Sequence, residues 1–253
     1  MRRNWIVLFF MMISIGSACA QGQSNLGDTI VNAKLLQFSY AIQFPFGDMA
    51  DRFGNNSSLG ASFSFKIAHN WMIGAEGNFL FGGNIKEDTI LDYLFTSQGF
   101  LLGTGGYAES VLLFERGYDI FGKFGKLIPI EKGNPNSGIN VLFGAGFLQH
   151  KIKIEDVDNA VPYVSGDYVK GYDRLTNGFA ISQYVGYLNL DKRKFLNFNG
   201  GIEVIEAFTK NRRSYNFDQM KQDNSSRVDV LLGIKIAWVL PFYGRGEQRY
   251  YTY

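Results

Sequence analysis

Large apolar residues alternate with small or polar residues along most of the chain. In residues 34–44, the even positions from 36 onward carry Leu, Phe, Tyr, Ile and Phe, whereas the odd positions between them carry Gln, Ser, Ala and Gln. A period of two is typical of a β-strand with one apolar face. The alternation recurs in segments 59–67, 71–81, 139–150, 178–190, 195–208 and 227–242. It does not decide which face of 178–190 is the apolar one.

The second face of these strands is rich in Gly, Ser, Ala, Asn and Gln and poor in charge. A soluble β-sandwich has the same period, but its outer face carries many Lys and Glu residues. A small, polar second face instead fits the interior of a narrow barrel whose large residues contact lipid. The strands are also longer than the usual five or six residues of globular sheets and suffice for a tilted membrane span.

Short and long connections alternate between the predicted strands. The short ones are 68–70, 131–138 and 191–194, and the long ones are 46–57, 82–106, 151–177 and 209–226. Short turns on one rim and long loops on the other are typical of outer-membrane barrels. We therefore predict an all-β fold, namely a closed antiparallel transmembrane β-barrel over residues 34–242 with long outer loops and short periplasmic turns.

The number of strands depends on residues 99–130. One strand over 107–130 with a bend at 116–117 gives eight strands in all, whereas a break at that point gives an odd number. A further strand at 99–105 would raise the number to ten. Because the alternation of loop lengths requires an even number, we predict eight strands and keep ten as the alternative.

Aromatic residues mark both predicted rims. Trp71 and Trp238 fall at the periplasmic rim, and Phe44 and Phe81 fall at the outer rim, as expected of an aromatic belt. Ile67 and Trp71 both face outward, so they should pair across a three-residue turn, 68–70, in which Asn70 adopts the left-handed conformation.

The N-terminus has the features of an export signal. Arg2 and Arg3 precede an apolar run, and the small residues Ala18-Cys19-Ala20 follow it. We predict a signal peptide over 1–20 that is cleaved after Ala20, with lipoprotein modification at Cys19 as an alternative. A periplasmic segment over 21–33 and a periplasmic tail over 243–253 would then flank the barrel. The predicted location is the outer membrane of a diderm bacterium.

Charge and motifs exclude several function classes. Cleavage removes Arg2 and Arg3, which leaves 23 acidic residues balanced by as many basic ones, so nucleic acid is not an expected partner. The sequence has no HExxH, GxSxG, CxxC or P-loop spacing. Of the two histidines, only His150 falls near the outer rim, where no neighbouring residue offers a nucleophile. We expect no catalytic residue, no metal and no cofactor.

Four charged residues occupy positions that face the predicted lumen. They are Lys66, Glu76, Glu203 and Lys235. Buried charges persist only when they are paired and hydrogen-bonded. We predict that the four form an ion-pair network that plugs the barrel, with a polar lining for a narrow water or ion path as the alternative.

The long loop 209–226 mixes basic and aromatic residues, namely Arg212, Arg213, Tyr215 and Phe217. Loop 151–177 carries several acidic residues, so the two loops could match each other in charge. The functional alternative is that the 209–226 residues contact lipid phosphates or a protein partner.

On these features, residues 34–242 resemble the small eight-stranded outer-membrane barrels of the OmpA and OmpX kind, and their long loops resemble those of uncharacterised outer-membrane β-barrel proteins of Bacteroidota. In the last strand, Gly233, Ile236 and Trp238 are similar to the signal that the barrel-assembly machinery reads. The resemblance implies outer-membrane lipid as the surroundings and that machinery as a partner during biogenesis. It favours a non-catalytic barrel that presents its surface loops, for example as an accessory of an envelope assembly or secretion machine. The alternatives are a narrow pore for ions or small solutes and a lipid-modifying enzyme.

Overall fold

The computed structural model describes residues 30–130, 134–158, 160–190 and 197–243. Within these residues, eight of the ten strands close into one antiparallel barrel, in which β10 returns to pair with β1. The barrel strands are β1 Ala33–Gly47, β2 Asn56–Lys66, β3 Trp71–Gly82, β6 Val111–Pro129, β7 Gly138–Asp156, β8 Thr176–Asn189, β9 Phe198–Asn211 and β10 Ser226–Tyr243. The predicted eight-stranded barrel is therefore confirmed.

Residues 99–130 contain one barrel strand and a separate hairpin. Strand β6 is continuous through the predicted bend at 116–117. The short strands β4 (Leu101–Leu102) and β5 (Ala108–Glu109) pair only with each other, in the long connection between β3 and β6. The alternative of ten barrel strands is therefore wrong, although the segment 99–105 does contribute to a strand.

The two faces of each barrel strand differ as the alternation predicts. Large apolar residues face outward, and Phe143 and Ile234 are 60% and 62% exposed. The structure also assigns the faces of β8, because Phe179 and Val185 are exposed while Ala180 and Tyr184 are buried in the lumen. The barrel thus has an apolar exterior, while its interior combines polar residues with buried apolar ones such as Phe121 and Leu148.

The turn between β2 and β3 is a three-residue 3₁₀ turn over Ala68–Asn70. The Ile67 amide donates to the Trp71 carbonyl oxygen at 2.8 Å, which gives the expected pairing across the turn. Asn70 has a φ of 63°, and His69 is also left-handed, with a φ of 59°. The turn therefore needs two left-handed residues where the sequence predicted one.

The ends of the chain are described only in part. The first strand begins at Ala33 and the last ends at Tyr243, one residue beyond each end of the predicted barrel. The predicted signal peptide over 1–20, with Cys19, and the predicted tail after residue 243 lie outside the described residues. In the part of the chain that is described, no helix is long and apolar enough to cross a membrane.

The four predicted belt aromatics lie on the outer face near the strand ends. Trp71 stacks on Phe124 with ring centroids 4.9 Å apart, and the Lys126 Nζ lies 5.2 Å from the centre of the Trp71 ring. Trp238 is 59% exposed opposite Phe38. At the other ends of their strands, Phe44 is 38% exposed and Phe81 is half-buried.

Candidate functional site: a filled lumen and a packed loop cap

The middle of the lumen holds an alternating cluster of two acids and two lysines. The Lys123 Nζ donates to Glu76 Oε1 at 2.8 Å and to Glu203 Oε1 at 2.5 Å. The Lys235 Nζ donates to Glu76 Oε1 at 2.5 Å and to Glu203 Oε2 at 2.6 Å. Each carboxylate thus contacts both ammonium groups, and the four charges cancel. We call these four residues the lumen cluster.

Burial makes the lumen cluster sensitive to the loss of any member. All four side chains are at most 9% exposed. A buried ion pair is weak evidence for net stability, but a single unpaired charge in the same place is strongly destabilising. The cluster therefore fixes which side chains share the lumen and holds strands β3, β6, β9 and β10 in register.

The prediction that Lys66 belongs to this network is wrong. Its Nζ donates instead to the Val31 carbonyl oxygen and to Asn136 Oδ1, both at 2.8 Å, at the end of the barrel where β1 begins. Lys66 is 1% exposed, so these bonds compensate its burial. Lys66 lies on β2, ten residues before Glu76 along the chain. Both side chains face the lumen, but they lie at different heights in the barrel and therefore do not meet.

Lys123, the fourth member of the lumen cluster, was not among the residues predicted from the sequence. The residue lies on β6, whose facing was left open by the expected bend at 116–117. The alternation itself contained the signal, since Ile120 and Phe124 are exposed while Phe121 and Lys123 are buried. A continuous strand places every odd position of this segment in the lumen.

Two apolar layers occupy the lumen on either side of the lumen cluster. The layer toward the short turns consists of buried residues from five strands and one turn, namely Leu35, Met72, Leu127, Leu188, Leu190 and Val239. The layer toward the long loops includes Leu80, Phe121, Leu148, Ile205 and Leu231. Between them lies a cavity of about 30 Å³ beside Glu76, Lys123 and Lys235, which is room for about two water molecules.

His150 lies inside the barrel rather than on its rim. Its Nε2 is 3.0 Å from Asp229 Oδ2, and the Thr209 hydroxyl donates to the same carboxylate oxygen at 2.5 Å. The Phe53 ring packs edge-on against the imidazole at 5.3 Å. His150 is 1% exposed, and the one hydroxyl in this group bonds the acid instead of the imidazole. The arrangement pairs and buries His150 without bringing a nucleophile to it.

The long loops pack into a single body above the lumen, which we call the cap: the described parts of 48–55, 83–110, 157–175 and 212–225. Its only α-helix among the described residues is α1, Met49–Arg52. Met49 and Phe53 are fully buried and belong to the same apolar cluster as Leu91 and Val164 from other loops. The cap therefore has a core of its own that is continuous with the upper layer of the lumen.

Arginine–carboxylate pairs connect all four loops of the cap. Arg52 contacts Glu87 at 3.1 Å and Asp223 at 3.6 Å. Arg174, which is fully buried, forms a bidentate pair with Asp218 and a further bond to Glu87 at 2.9 Å. Bidentate geometry makes such pairs the strong ones among ionic contacts.

Burial affects the two cap arginines differently. Desolvation by burial, followed by repulsion from Arg227, lowers the pKa of Arg52. Burial acts in the same direction on Arg174, but hydrogen bonds to Asp218 and attraction to Glu87 outweigh it and raise the pKa of Arg174. Both guanidinium groups stay charged, and the carboxylate partners compensate the burial of Arg174 more fully than that of Arg52.

The structure places the four predicted contact residues of loop 209–226 in the cap, but it engages most of them internally. Arg213 forms a bidentate pair with Asp173 at 2.5 and 2.7 Å, and the Arg212 Nε donates to Asn177 Oδ1 at 2.5 Å. Phe217 packs against Tyr172, and Tyr215 lies beside Phe217. Arg213 is neutralised by Asp173 within the cap, whereas Arg212, Tyr215 and Phe217 remain exposed. Contact of this loop with lipid phosphates or a protein partner stays a prediction.

The three residues of the predicted assembly signal lie on β10, between β9 and β1. Gly233 faces the lumen, whereas Ile236 and Trp238 face outward and are 62% and 59% exposed. Recognition of this strand by the assembly machinery remains a prediction.

A closed eight-stranded antiparallel barrel with an apolar exterior, a filled lumen and long loops on one rim defines the fold of the small outer-membrane β-barrels. Solved structures similar to the chain include Ail of Yersinia pestis in complex with the heparin analogue sucrose octasulfate, with 11% identity, a TM-score of 0.41, and coverage of 83% of this chain and 100% of that chain. The Neisserial surface protein A matches with 9% identity, a TM-score of 0.41, and coverage of 81% and 96%. The outer membrane protein OprG of Pseudomonas aeruginosa matches with 10% identity, a TM-score of 0.35, and coverage of 87% and 100%. No protein-family model and no curated protein sequence matches the chain.

Proposed function

We propose that the chain is a non-catalytic outer-membrane protein whose plugged barrel holds the cap at the cell surface as an interaction surface. The observation that carries this proposal is the cross-linking of all four outer loops by buried arginine pairs. Loops that only connect strands need no such pairs, because they are ordinarily mobile and solvated. A cap with a defined shape can present a fixed set of contact residues.

The exposed side chains of the cap support a role in binding a protein partner, such as a component of an envelope assembly or secretion machine. Tyr93, Tyr107, Tyr168 and Met220 are between 64% and 78% exposed. Tyrosine supplies large contact area at low conformational cost and is enriched at interfaces. Held on an ordered cap, these residues are pre-organised for contact, which lowers the entropic cost of association.

A narrow pore is the second candidate, favoured by the polar cavity beside the lumen cluster. Conduction requires a continuous polar path, and the cavity lies between two buried apolar layers. We therefore favour the plugged barrel. A lipid-modifying enzyme would need an accessible base, and the burial of His150 gives that alternative no support.

Site-specific photo-crosslinking tests the interaction surface in the intact outer membrane. A photoreactive residue at Tyr168 or at Tyr107 should give one discrete adduct of higher mass. The matched control is the same residue at Phe143, which is 60% exposed, close to the 64% of Tyr168, but faces the predicted lipid. An adduct at Phe143 with the same mass, or none at either cap position, would contradict the proposal.

A further inference from the structure

We propose that the outer rim of the barrel binds phosphate groups of phosphorylated glycolipids in the outer leaflet. The binding residues are Arg116, Lys151 and Lys210, which we call the basic belt. The inference rests on the outer-membrane location proposed above, and it assigns a lipid contact to the barrel wall that is distinct from the surface of the cap.

All three side chains of the basic belt point away from the lumen. Arg116 lies between Glu115 and Gly117, which face inward, and its guanidinium carbon is 5.0 Å from the centre of the Phe114 ring. Lys151 lies between His150 and Ile152, whose side chains are at most 1% exposed in the interior. Lys210 is exposed near the outer end of β9.

The strand register places the basic belt just outside a row of apolar residues. Ile120 pairs with Phe147, Phe147 with Phe179, and Phe179 with Phe208 across β6, β7, β8 and β9. Each member of the basic belt lies two or four residues farther toward the loops on its own strand. On β6, Lys126 lies beside Trp71 of the predicted periplasmic belt. The ten residues from Lys126 to Arg116 cover about 25 Å of membrane thickness at about 3.3 Å per residue and a tilt of about 40°, so Arg116 lies at the level of the outer headgroups.

Two members of the basic belt face each other without a salt bridge. Arg116 is directly opposite Lys151 in the register, where side chains are about 5 Å apart and like charges are destabilising. Among the described residues, neither side chain is salt-bridged to an acid: Glu115 attracts Arg116 from the lumen side, and the Arg116 Nη1 donates to the Glu115 carbonyl oxygen. An anion between them would replace this repulsion by two attractive contacts, and a phosphate accepts the fork of an arginine well.

The acidic groups on the same face leave the basic belt positive. Glu155 is paired with Lys153 at 2.9 Å. Glu206 faces outward four residues from Lys210, on the far side of Phe208 from the loops. On the other barrel strands the outer rim carries apolar residues instead, including Phe46 on β1, Phe81 on β3 and Val228 on β10, and Phe81 is the direct partner of Arg116 in the register. The positive charge is thus concentrated on one side, over β6 to β9.

The test uses the mature chain folded into phosphatidylcholine vesicles that contain lipid A or lipid A stripped of its phosphates. The barrel is then extracted gently, and native mass spectrometry measures the affinity for each lipid by titration. The variant Arg116→Gln/Lys151→Gln removes the facing pair. The control Lys34→Gln/Lys126→Gln removes two outward cations from the opposite rim.

We expect lipid A to bind the wild type and the control equally, and its affinity to fall roughly thirtyfold in the Arg116/Lys151 variant, since each surface cation contributes about fivefold. Lipid without phosphates should bind as weakly to the wild type as lipid A binds to this variant. Equal lipid A binding by both variants would overturn the proposal, and so would complete displacement by millimolar inorganic phosphate, which would indicate a simple anion site.

The experiment distinguishes a failure of the proposed outer-membrane location from a failure of the proposed phosphate binding by the basic belt. If the wild type does not acquire a heat-modifiable folded form in the vesicles, the location proposal fails. If the wild type folds but the Arg116/Lys151 variant binds lipid A as tightly as the wild type does, only the proposal of the basic belt is overturned.

Discussion

Replacement of the buried Lys235 by Met should destabilise the barrel far more than replacement of an outward-facing lysine such as Lys34. The Lys235 Nζ contacts Glu76 at 2.5 Å and Glu203 at 2.6 Å, and its removal leaves two buried carboxylates with Lys123 alone. Breaking a buried charge pair by removing one partner costs about 3–5 kcal/mol. The expected decrease in the free energy of unfolding is therefore in that range.

Equilibrium unfolding in urea, followed by tryptophan fluorescence in lipid vesicles, measures this free energy. The matched control is Lys34→Met, which removes an outward-facing lysine and should change stability by less than about 0.5 kcal/mol. The double variant Lys235→Met/Glu76→Gln leaves one acid, Glu203, and one base, Lys123, in the lumen cluster. It should recover much of the loss, because the remaining charges again cancel. Equal effects of Lys235→Met and Lys34→Met would refute the reasoning.

Three further predictions concern the cap and the turn. Replacement of Arg174 by Met should make the cap sensitive to external protease while the barrel keeps its heat-modifiable form, because two loops lose their shared partner. Asn70→Ala should lower the free energy of unfolding by about 1 kcal/mol, since φ is 63° there, whereas Asn70→Gly should lower it less, and equal losses would count against the turn geometry. Burial raises the pKa of Asp223, but hydrogen bonds from Ser225 and then from Arg227 outweigh it and hold that pKa well below its usual range. A carboxyl group whose pKa is lower in the folded than in the unfolded state stabilises the fold at pH values above its unfolded pKa of about 3.9. This stabilisation is lost at lower pH. Protease protection of the cap should therefore persist from pH 7 to about pH 4 and fall below it, and the fall should shrink in Asp223→Asn.

The barrel could be predicted from the sequence because its pattern is local. A period of two assigns the face of a residue from its immediate neighbours, as it did for Phe38 and Trp238. The outward face of residues 178–190 could not be assigned in this way, because both faces of β8 carry aromatic or aliphatic residues, such as Ala180 and Tyr184 in the lumen and Phe179 outside. Only pairing with β7 and β9 decides between them.

The lumen cluster required the register as well as the period. Knowing that Lys66 and Glu76 both face inward does not determine their heights in the barrel, which depend on strand tilt and stagger. Lys66 lies at the level of the short turns, whereas Glu76 lies near the middle. Lys123 was missed for a different reason, since an expected bend interrupted the alternation of its strand.

The cap lay beyond sequence reasoning. Arg174 and Asp218 are distant in the chain, and they meet only because the closed barrel brings their loops together at one rim. Their partners could not be chosen among the many charged loop residues without that geometry. The expected charge match between loops 151–177 and 209–226 is nevertheless visible in the pair Asp173–Arg213.

Ion conductance across planar lipid bilayers tests the plugged lumen most directly. We predict that the folded wild-type protein gives no steady openings, because the lumen cluster and two apolar layers fill the interior. Steady openings of the wild type that change in conductance or ion selectivity on Glu76→Gln would contradict this account and favour a pore.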